Sequence, residues 1–177
     1  MWPLARFHEG TSLLKISITK AHLKHLEDCI VALLKSKLGQ EYFPAEEKAR
    51  SALIEGITNE EIFVAVDEAG ECLGFIWFIL AGAFHSFPYL HIIAVKEALR
   101  GRGIGKKLLG FFEQTVFTDS SKAFLVVADF NPEAKRLYER LGYRQVGAIP
   151  GLYKAGVTEY LMMKERGMTM GENDKGL

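Results

Sequence analysis

Tyr-Leu-His-Ile-Ile-Ala-Val-Lys-Glu-Ala-Leu-Arg-Gly-Arg-Gly-Ile-Gly, residues 89–105, is the most informative stretch of the chain. Its first seven residues form an apolar run rich in Ile, which predicts a buried β-strand. A glycine-rich turn follows, and the apolar residues after it recur at helical spacing. The stretch therefore predicts a strand, a turn and the start of a helix.

The glycine-rich turn is a predicted phosphate site. The first N–H groups of a helix have no partner inside the helix, and the helix dipole adds partial positive charge there, so helix starts bind phosphate. Arg100, Arg102, Lys106 and Lys107 add formal positive charge around the turn. We therefore expect a phosphorylated ligand that is held mostly by main-chain groups.

The spacing of the glycines distinguishes between classes of phosphate site. Glycines at 101, 103 and 105 do not fit a Rossmann fingerprint, and the residue after Gly105-Lys106 is not the Ser or Thr of a P-loop. The remaining pattern, Arg100-x-x-Gly103-x-Gly105, resembles the acetyl-CoA signature of the GNAT superfamily of N-acetyltransferases. A ligand-free glycine turn before a surface helix is the alternative interpretation of this one motif.

A second motif covers residues 131–143 and reads Asn131-x-x-Ala-x-x-Leu-Tyr138-x-x-Leu-Gly-Tyr143. It resembles the second GNAT motif, Asn-x-x-Ala-x-x-Leu-Tyr-x-x-Leu-Gly-Phe. With both motifs in family order, the chain is identified as a member over residues 12–164. Asn131 followed by Pro132 also predicts a helix N-cap, and Tyr138 lies on the same face of that helix as Asn131.

The resemblance implies acetyl-CoA as the cofactor and a pantetheine arm that runs along strand 89–95, where this strand splays from the next. The implied cofactor-binding residues are Ile93, Ala94, Val95, Arg100, Gly101, Arg102, Gly103, Ile104, Gly105, Lys106, Asn131 and Tyr138.

Tyr138 is the predicted general acid. Thiols have pKa values near ~8.5 and phenols near ~10, so a neutral tyrosine beside the sulfur can protonate a departing thiolate. In GNAT enzymes a tyrosine at this place commonly has that role. A core aromatic residue is the alternative role.

An amine acceptor must lose a proton, because an alkylammonium has a pKa near ~10. Strict alternation along the strand predicts that one face carries Tyr89, His91, Ile93 and Val95. His91 titrates near pH ~6.5 and is the candidate base, and a core histidine bonded to a backbone carbonyl is the alternative. Asp129 is a weaker candidate. In the family two histidines, or a glutamate at the first place, occupy the positions of Tyr89 and His91.

The acceptor pocket is predicted to lie between the loop 40–43, the connection 82–87 and the loop 149–156. Aromatic side chains with nearby carboxylates, here Glu41 and Glu46, suit an amine, although they also suit the rim of a core. The candidate pocket residues are Tyr42, Phe43, Phe84, Tyr89 and Tyr153.

The element order predicted from the patterns is β-α-α-β-β-β-α-β-α-β-β. It indicates an α+β fold with a GNAT-type, mixed, mostly antiparallel central sheet of about seven strands and helices on both faces. A helix over 20–38 is expected to begin at Thr19 and to end at Gly39. Residues 1–11 are expected to be a flexible arm, residues 12–164 a single N-acetyltransferase domain, and residues 165–177 a disordered tail.

Composition limits the function classes. The formal net charge is 0, which argues against a nucleic-acid binder. Cys29 and Cys72 are interpreted as core residues in a reducing compartment, and no metal-ligand spacing or membrane-spanning run occurs. We expect a cytoplasmic protein without a metal or a membrane segment, and the oligomeric state stays open between monomer and homodimer.

The predicted function is direct transfer of the acetyl group of acetyl-CoA to a primary amine of a small molecule or a protein. Neither cysteine lies near the motifs, so an acyl-enzyme is not expected. The alternatives are a catalytically silent acyl-CoA sensor and a nucleotide-binding α/β protein.

Overall fold

The computed structural model describes residues 15–167. Seven strands form one sheet in the spatial order β1-β2-β3-β4-β5-β7-β6. Neighbouring strands are antiparallel except β4 and β5, which are parallel. The strands are β1 Ser17–Lys20, β2 Ile62–Val66, β3 Cys72–Ala83, β4 Phe87–Val95, β5 Lys122–Ala128, β6 Arg144–Pro150 and β7 Thr158–Glu165. The predicted fold class is confirmed.

Helices cover both faces of this sheet, and each face has its own apolar core. Leu33 and Leu53 pack with Trp77 on one face, and Leu108 and Phe112 pack with Ile76 on the other. The helices are α1 Leu26–Leu34, α2 Lys37–Tyr42, α3 Glu46–Thr58, α4 Ile104–Val116 and α5 Pro132–Arg140. No helix among residues 15–167 combines the length and the apolarity needed to cross a membrane.

The first helical region differs from the prediction. Thr19 belongs to β1 and caps no helix, and α1 ends at Leu34 rather than at residue 38. A separate helix, α2, follows, and the Ser36 Oγ accepts a hydrogen bond from the Gly39 N–H at 2.9 Å at its start. Gly39 therefore lies inside α2, where a Cβ would stand 1.9 Å from the Leu33 carbonyl oxygen. Residues 40–42 of the predicted loop 40–43 also belong to α2 and are therefore helical.

Three predicted boundaries also move. β3 continues to Ala83, so the predicted connection 82–87 is reduced to a tight turn. β6 continues to Pro150, so the predicted loop 149–156 begins at Gly151. β7 includes Glu165, the first residue of the predicted tail. The predicted arm 1–11 and residues 168–177 of the predicted tail lie outside the described residues, as do residues 12–14 of the first strand, which is predicted over residues 12–18.

A β-bulge at His91 breaks the predicted alternation of β4. Trp77 pairs with Ile92 and the next residue, Phe78, pairs with Leu90, so His91 has no partner on β3. The extra residue resets the alternation. His91, which packs against Trp77, and Ile92 therefore face the α1 and α3 side, whereas Ile93 and Val95 face α4. The prediction of one shared face for all four side chains is wrong.

The two parallel strands part soon after they meet. β4 and β5 pair at Tyr89 with Phe124 and at Leu90 with Leu125, and the ladder ends there. Beyond this point the main chain of β4 has no neighbouring strand on the β5 side within the described part of the chain. The splay opens the sheet at its centre.

Candidate active site

A cavity of about 740 Å³ lies where β4 and β5 separate. Its walls come from residues 89–95 of β4, residues 125–128 of β5, the start and one face of α5, and α2. The volume lies within the range of small-molecule binding sites. Ile93, Ala94 and Val95, the cofactor-binding residues that the sequence analysis predicts on β4, line this cavity.

One end of the cavity meets the start of α4. Gly103 is the N-cap of this helix at φ 81°, and the first intrahelical bond runs from the Lys107 N–H to the Gly103 carbonyl at 3.1 Å. Gly105 lines the cavity, whereas Ile104 is buried behind the turn. Gly101, Arg102 and Lys106 are exposed beside it. The turn therefore presents unpaired main-chain N–H groups and positive charge next to the cavity mouth.

Arg100 has structural partners that the motif did not reveal. Its Nε donates to the Val95 carbonyl at 3.2 Å, and one terminal nitrogen donates to the Lys35 carbonyl at 2.8 Å. Arg100 also lines the cavity. The guanidinium thus ties the end of β4 to the end of α1, which fixes the position of the turn.

The α5 residues of the second motif meet in the same cavity. The Asn131 Oδ1 accepts a hydrogen bond from the Ala134 N–H at 3.4 Å, which confirms the predicted cap. Tyr138 lies two turns further along, is buried and lines the cavity. Burial raises the pKa of Tyr138 to about 12, so the phenol keeps its proton at neutral pH.

His91 reaches the cavity beside the bulge. Its ring lies 4.6 Å from the Trp77 ring and 6.0 Å from the Tyr89 ring, centroid to centroid. Burial lowers the pKa of His91, and the Glu61 carboxylate opposes that shift only in part. The ring forms no hydrogen bond with any of residues 15–167. It therefore lacks the hydrogen bond to a backbone carbonyl that the alternative, a purely structural histidine, would form. A neutral imidazole with an unused nitrogen can accept a proton.

The structure brings four of the five predicted pocket residues to the other end of the cavity: Tyr42, Phe43, Tyr89 and Tyr153. The hydroxyls of Tyr89 and Tyr153 lie 3.1 Å apart. Phe84 is exposed and packs edge-on against Phe124 at the β3–β4 turn, outside the cavity lining.

Glu159 is a site residue that the sequence analysis missed. It is 2% exposed, lines the cavity, and accepts a hydrogen bond from the Tyr42 hydroxyl. Burial raises the pKa of this carboxyl, although the Tyr42 bond opposes the shift. The available sequence signal was a charged residue at the head of an apolar strand face that continues with Leu161 and Met163.

Comparison with known proteins gives one consistent result. The family model for the acetyltransferase (GNAT) family matches residues 30–143. An uncharacterized protein of Mycobacterium leprae is 36% identical over 105 residues, covering 58% of this chain and 29% of that protein. N-alpha-acetyltransferase RimI of Mycobacterium tuberculosis is 31% identical over 107 residues, covering 59% of this chain and 66% of RimI. The chain therefore matches less than two thirds of either relative.

The fold is similar to that of solved structures over nearly their full length. Ard1 from Thermoplasma volcanium superposes with a TM-score of 0.70 at 21% identity, covering 85% of this chain and 97% of Ard1. At this identity the similarity establishes the fold alone.

Proposed function

The chain belongs to the GNAT acetyltransferase family, and on that premise we propose that it is an acetyl-CoA-dependent N-acetyltransferase. The acceptor is a primary amine of a small molecule or a protein. The observation that carries the proposal is one continuous cavity in the splayed sheet, which connects the start of α4 with Tyr138, His91 and an aromatic acceptor end. The pantetheine arm of acetyl-CoA separates the diphosphate from the thioester. The diphosphate can therefore lie at the start of α4 while the thioester lies near Tyr138.

The proposed cofactor position follows from the groups along the cavity. The diphosphate binds the main-chain N–H groups between Gly101 and Lys106, where the left-handed glycines leave open space. The pantetheine arm lies against Ile93, Ala94 and Val95, on the side of β4 where β5 no longer pairs with it. The Asn131 amide lies on the opposite wall.

The proposed reaction is direct transfer. The amine nitrogen attacks the thioester carbon, a C–N bond forms and the C–S bond breaks. His91 takes one proton from the ammonium before the attack. Tyr138 gives its hydroxyl proton to the departing sulfur, and the second proton of the nitrogen returns to Tyr138 as the amide forms. The raised pKa of Tyr138 and the lowered pKa of His91 hold the acid protonated and the base neutral at the start of the reaction.

The acceptor class has support from one relative. RimI is named an N-alpha-acetyltransferase, so a protein α-amine is one acceptor to test, and small primary amines are the other. Cys29 and Cys72 are buried free thiols, in keeping with a reducing compartment, and we propose a cytoplasmic location.

Thiol release tests the proposal. The purified protein is incubated with acetyl-CoA and a panel of small amines and peptides, and free thiol and acetylated product are measured. Amine-dependent release with matching acetylated product is expected. Tight acetyl-CoA binding without release on any amine would instead indicate the sensor.

A further inference from the structure

We propose that Glu159 is the counter-ion of a cationic acceptor, which binds as an ammonium between this carboxylate and the rings of Tyr42 and Tyr153. The inference rests on the proposed function and names the charge class of the acceptor. It concerns binding of the acceptor, and leaves removal of its proton to His91.

The carboxylate of Glu159 lacks a cation. Of the two carboxylates that line the cavity, Glu133 pairs with Lys37 at 3.1 Å, whereas Glu159 forms no ion pair with any of residues 15–167. Its one hydrogen bond, from Tyr42, engages Oε1. A carboxylate has about four acceptor positions, and a buried charge without a counter-ion costs several kcal/mol. A cation from the ligand would supply what the protein does not.

Neighbouring charged groups do not fill this role. Lys154, on the loop after β6, is paired with Glu41 of α2. Asp129 is exposed and accepts a hydrogen bond from the Thr158 N–H at 3.0 Å. The negative charge of Asp129 adds to the negative potential at Glu159 and therefore further raises the pKa of the Glu159 carboxyl.

Aromatic rings surround the carboxylate on the cavity side. The Tyr42 ring lies 5.7 Å from the Phe130 ring and 5.7 Å from the Tyr153 ring. All three residues line the cavity with Glu159. Ring faces attract cations, and the attraction grows when water is excluded. A buried carboxylate among such rings selects an alkylammonium over a neutral molecule of the same shape.

A counter-ion acts on affinity more than on turnover. It stabilises the bound ammonium but also raises the pKa of that ammonium, which opposes deprotonation. Removing the charge should therefore raise KM at least tenfold, with a much smaller fall in kcat. The His91 variants have the opposite signature, a fall in kcat with little change in KM.

The direct test compares 2-phenylethylammonium with 2-phenylethanol, which differ in charge but hardly in shape. Affinities for the CoA-loaded protein are measured by ligand-observed NMR titration for the wild type, Glu159→Gln, Tyr42→Phe and Glu165→Gln. Tyr42→Phe breaks the same hydrogen bond but keeps the carboxylate, and Glu165→Gln makes the same substitution on the same strand outside the cavity lining. We expect at least a tenfold preference for the ammonium in all proteins except Glu159→Gln.

No preference in the wild type, or an undiminished preference in Glu159→Gln, would overturn the inference. Equal loss in Tyr42→Phe and Glu159→Gln would also overturn it, since the hydrogen bond and not the charge would then be responsible. A Glu159-dependent ammonium preference in a protein that acetylates no amine would refute the proposed function and would leave Glu159 as a cation-binding residue only. Amine acetylation with an unchanged KM for the amine in Glu159→Gln would support the proposed function and refute the inference.

Discussion

Gly103→Glu tests the phosphate site at the start of α4, and Gly70→Glu is its matched control. Both glycines have φ 81°, and an added Cβ meets nothing within 4 Å at either position. A left-handed backbone costs an L-residue about 1–2 kcal/mol, so both variants should lose a similar amount of stability. Gly70 lies in the turn between β2 and β3 and does not line the cavity.

The two variants should differ in coenzyme A binding. We take about 4–5 Å as the separation between a carboxylate at Gly103 and the proposed diphosphate. At an effective dielectric constant of 20, one such pair of charges repels by about 3–4 kcal/mol. Since 1.4 kcal/mol is tenfold, the Kd for coenzyme A should rise roughly 100- to 1,000-fold in Gly103→Glu. In Gly70→Glu it should stay within about twofold of the wild type.

Titration calorimetry with coenzyme A measures this difference, and thermal unfolding of each variant shows that the protein is folded. A folded Gly103→Glu protein that binds coenzyme A like the wild type would refute the assignment of the diphosphate to this turn. Equal loss of binding in Gly70→Glu would show that strain, not charge, is responsible.

Tyr138→Phe should lower kcat by about 10²- to 10⁴-fold with little change in acetyl-CoA affinity, because a general acid is lost while the packing of the ring is kept. Steady-state kinetics measures kcat and calorimetry measures the affinity. An unchanged kcat would show that Tyr138 is not the general acid. Activity should fall as the pH drops below the lowered pKa of His91, since protonation removes the base. His91→Ala should abolish this limb of the kcat profile, and retention of the limb would assign it to another group. Phe112→Ala should reduce the free energy of unfolding by about 3–5 kcal/mol, because the ring is fully buried under α4; a loss below 1 kcal/mol in chemical denaturation would contradict that packing.

The parts of the fold that the sequence predicts are those with local signals. Asn131 and Pro132 mark the start of α5 because capping and the fixed φ of proline act within one turn. Asp67 and Gly70 mark the β2–β3 turn in the same way. α5 begins in the structure at Pro132, directly after its Asn131 cap, as the motif predicts.

The parts that the sequence does not predict depend on distant contacts. Gly39 looks like a helix end, but it lies inside α2 because only a glycine fits against the Leu33 carbonyl. The bulge at His91 depends on the register between β3 and β4, and the alternation of apolar and polar residues within β4 does not indicate that register.

Glu159 was missed for a similar reason. A glutamate at the start of a strand is usually solvated, but this one lies on β7 between β5 and β6, and Tyr42 packs over it. Tyr138 was found because its motif is local. The residues that line the cavity near the start of α4 and along α5 thus have local sequence signals, whereas the end at Tyr42, Tyr153 and Glu159 is assembled from segments distant along the chain.

A crystal structure of the coenzyme A complex is the most direct test of the proposed active site. We predict that the coenzyme A sulfur lies within hydrogen-bond reach of the Tyr138 hydroxyl, roughly 3–3.5 Å away, with the diphosphate on the main chain between Gly101 and Lys106. A sulfur bound elsewhere, or a diphosphate away from the start of α4, would contradict the proposed site and the catalytic roles that depend on it.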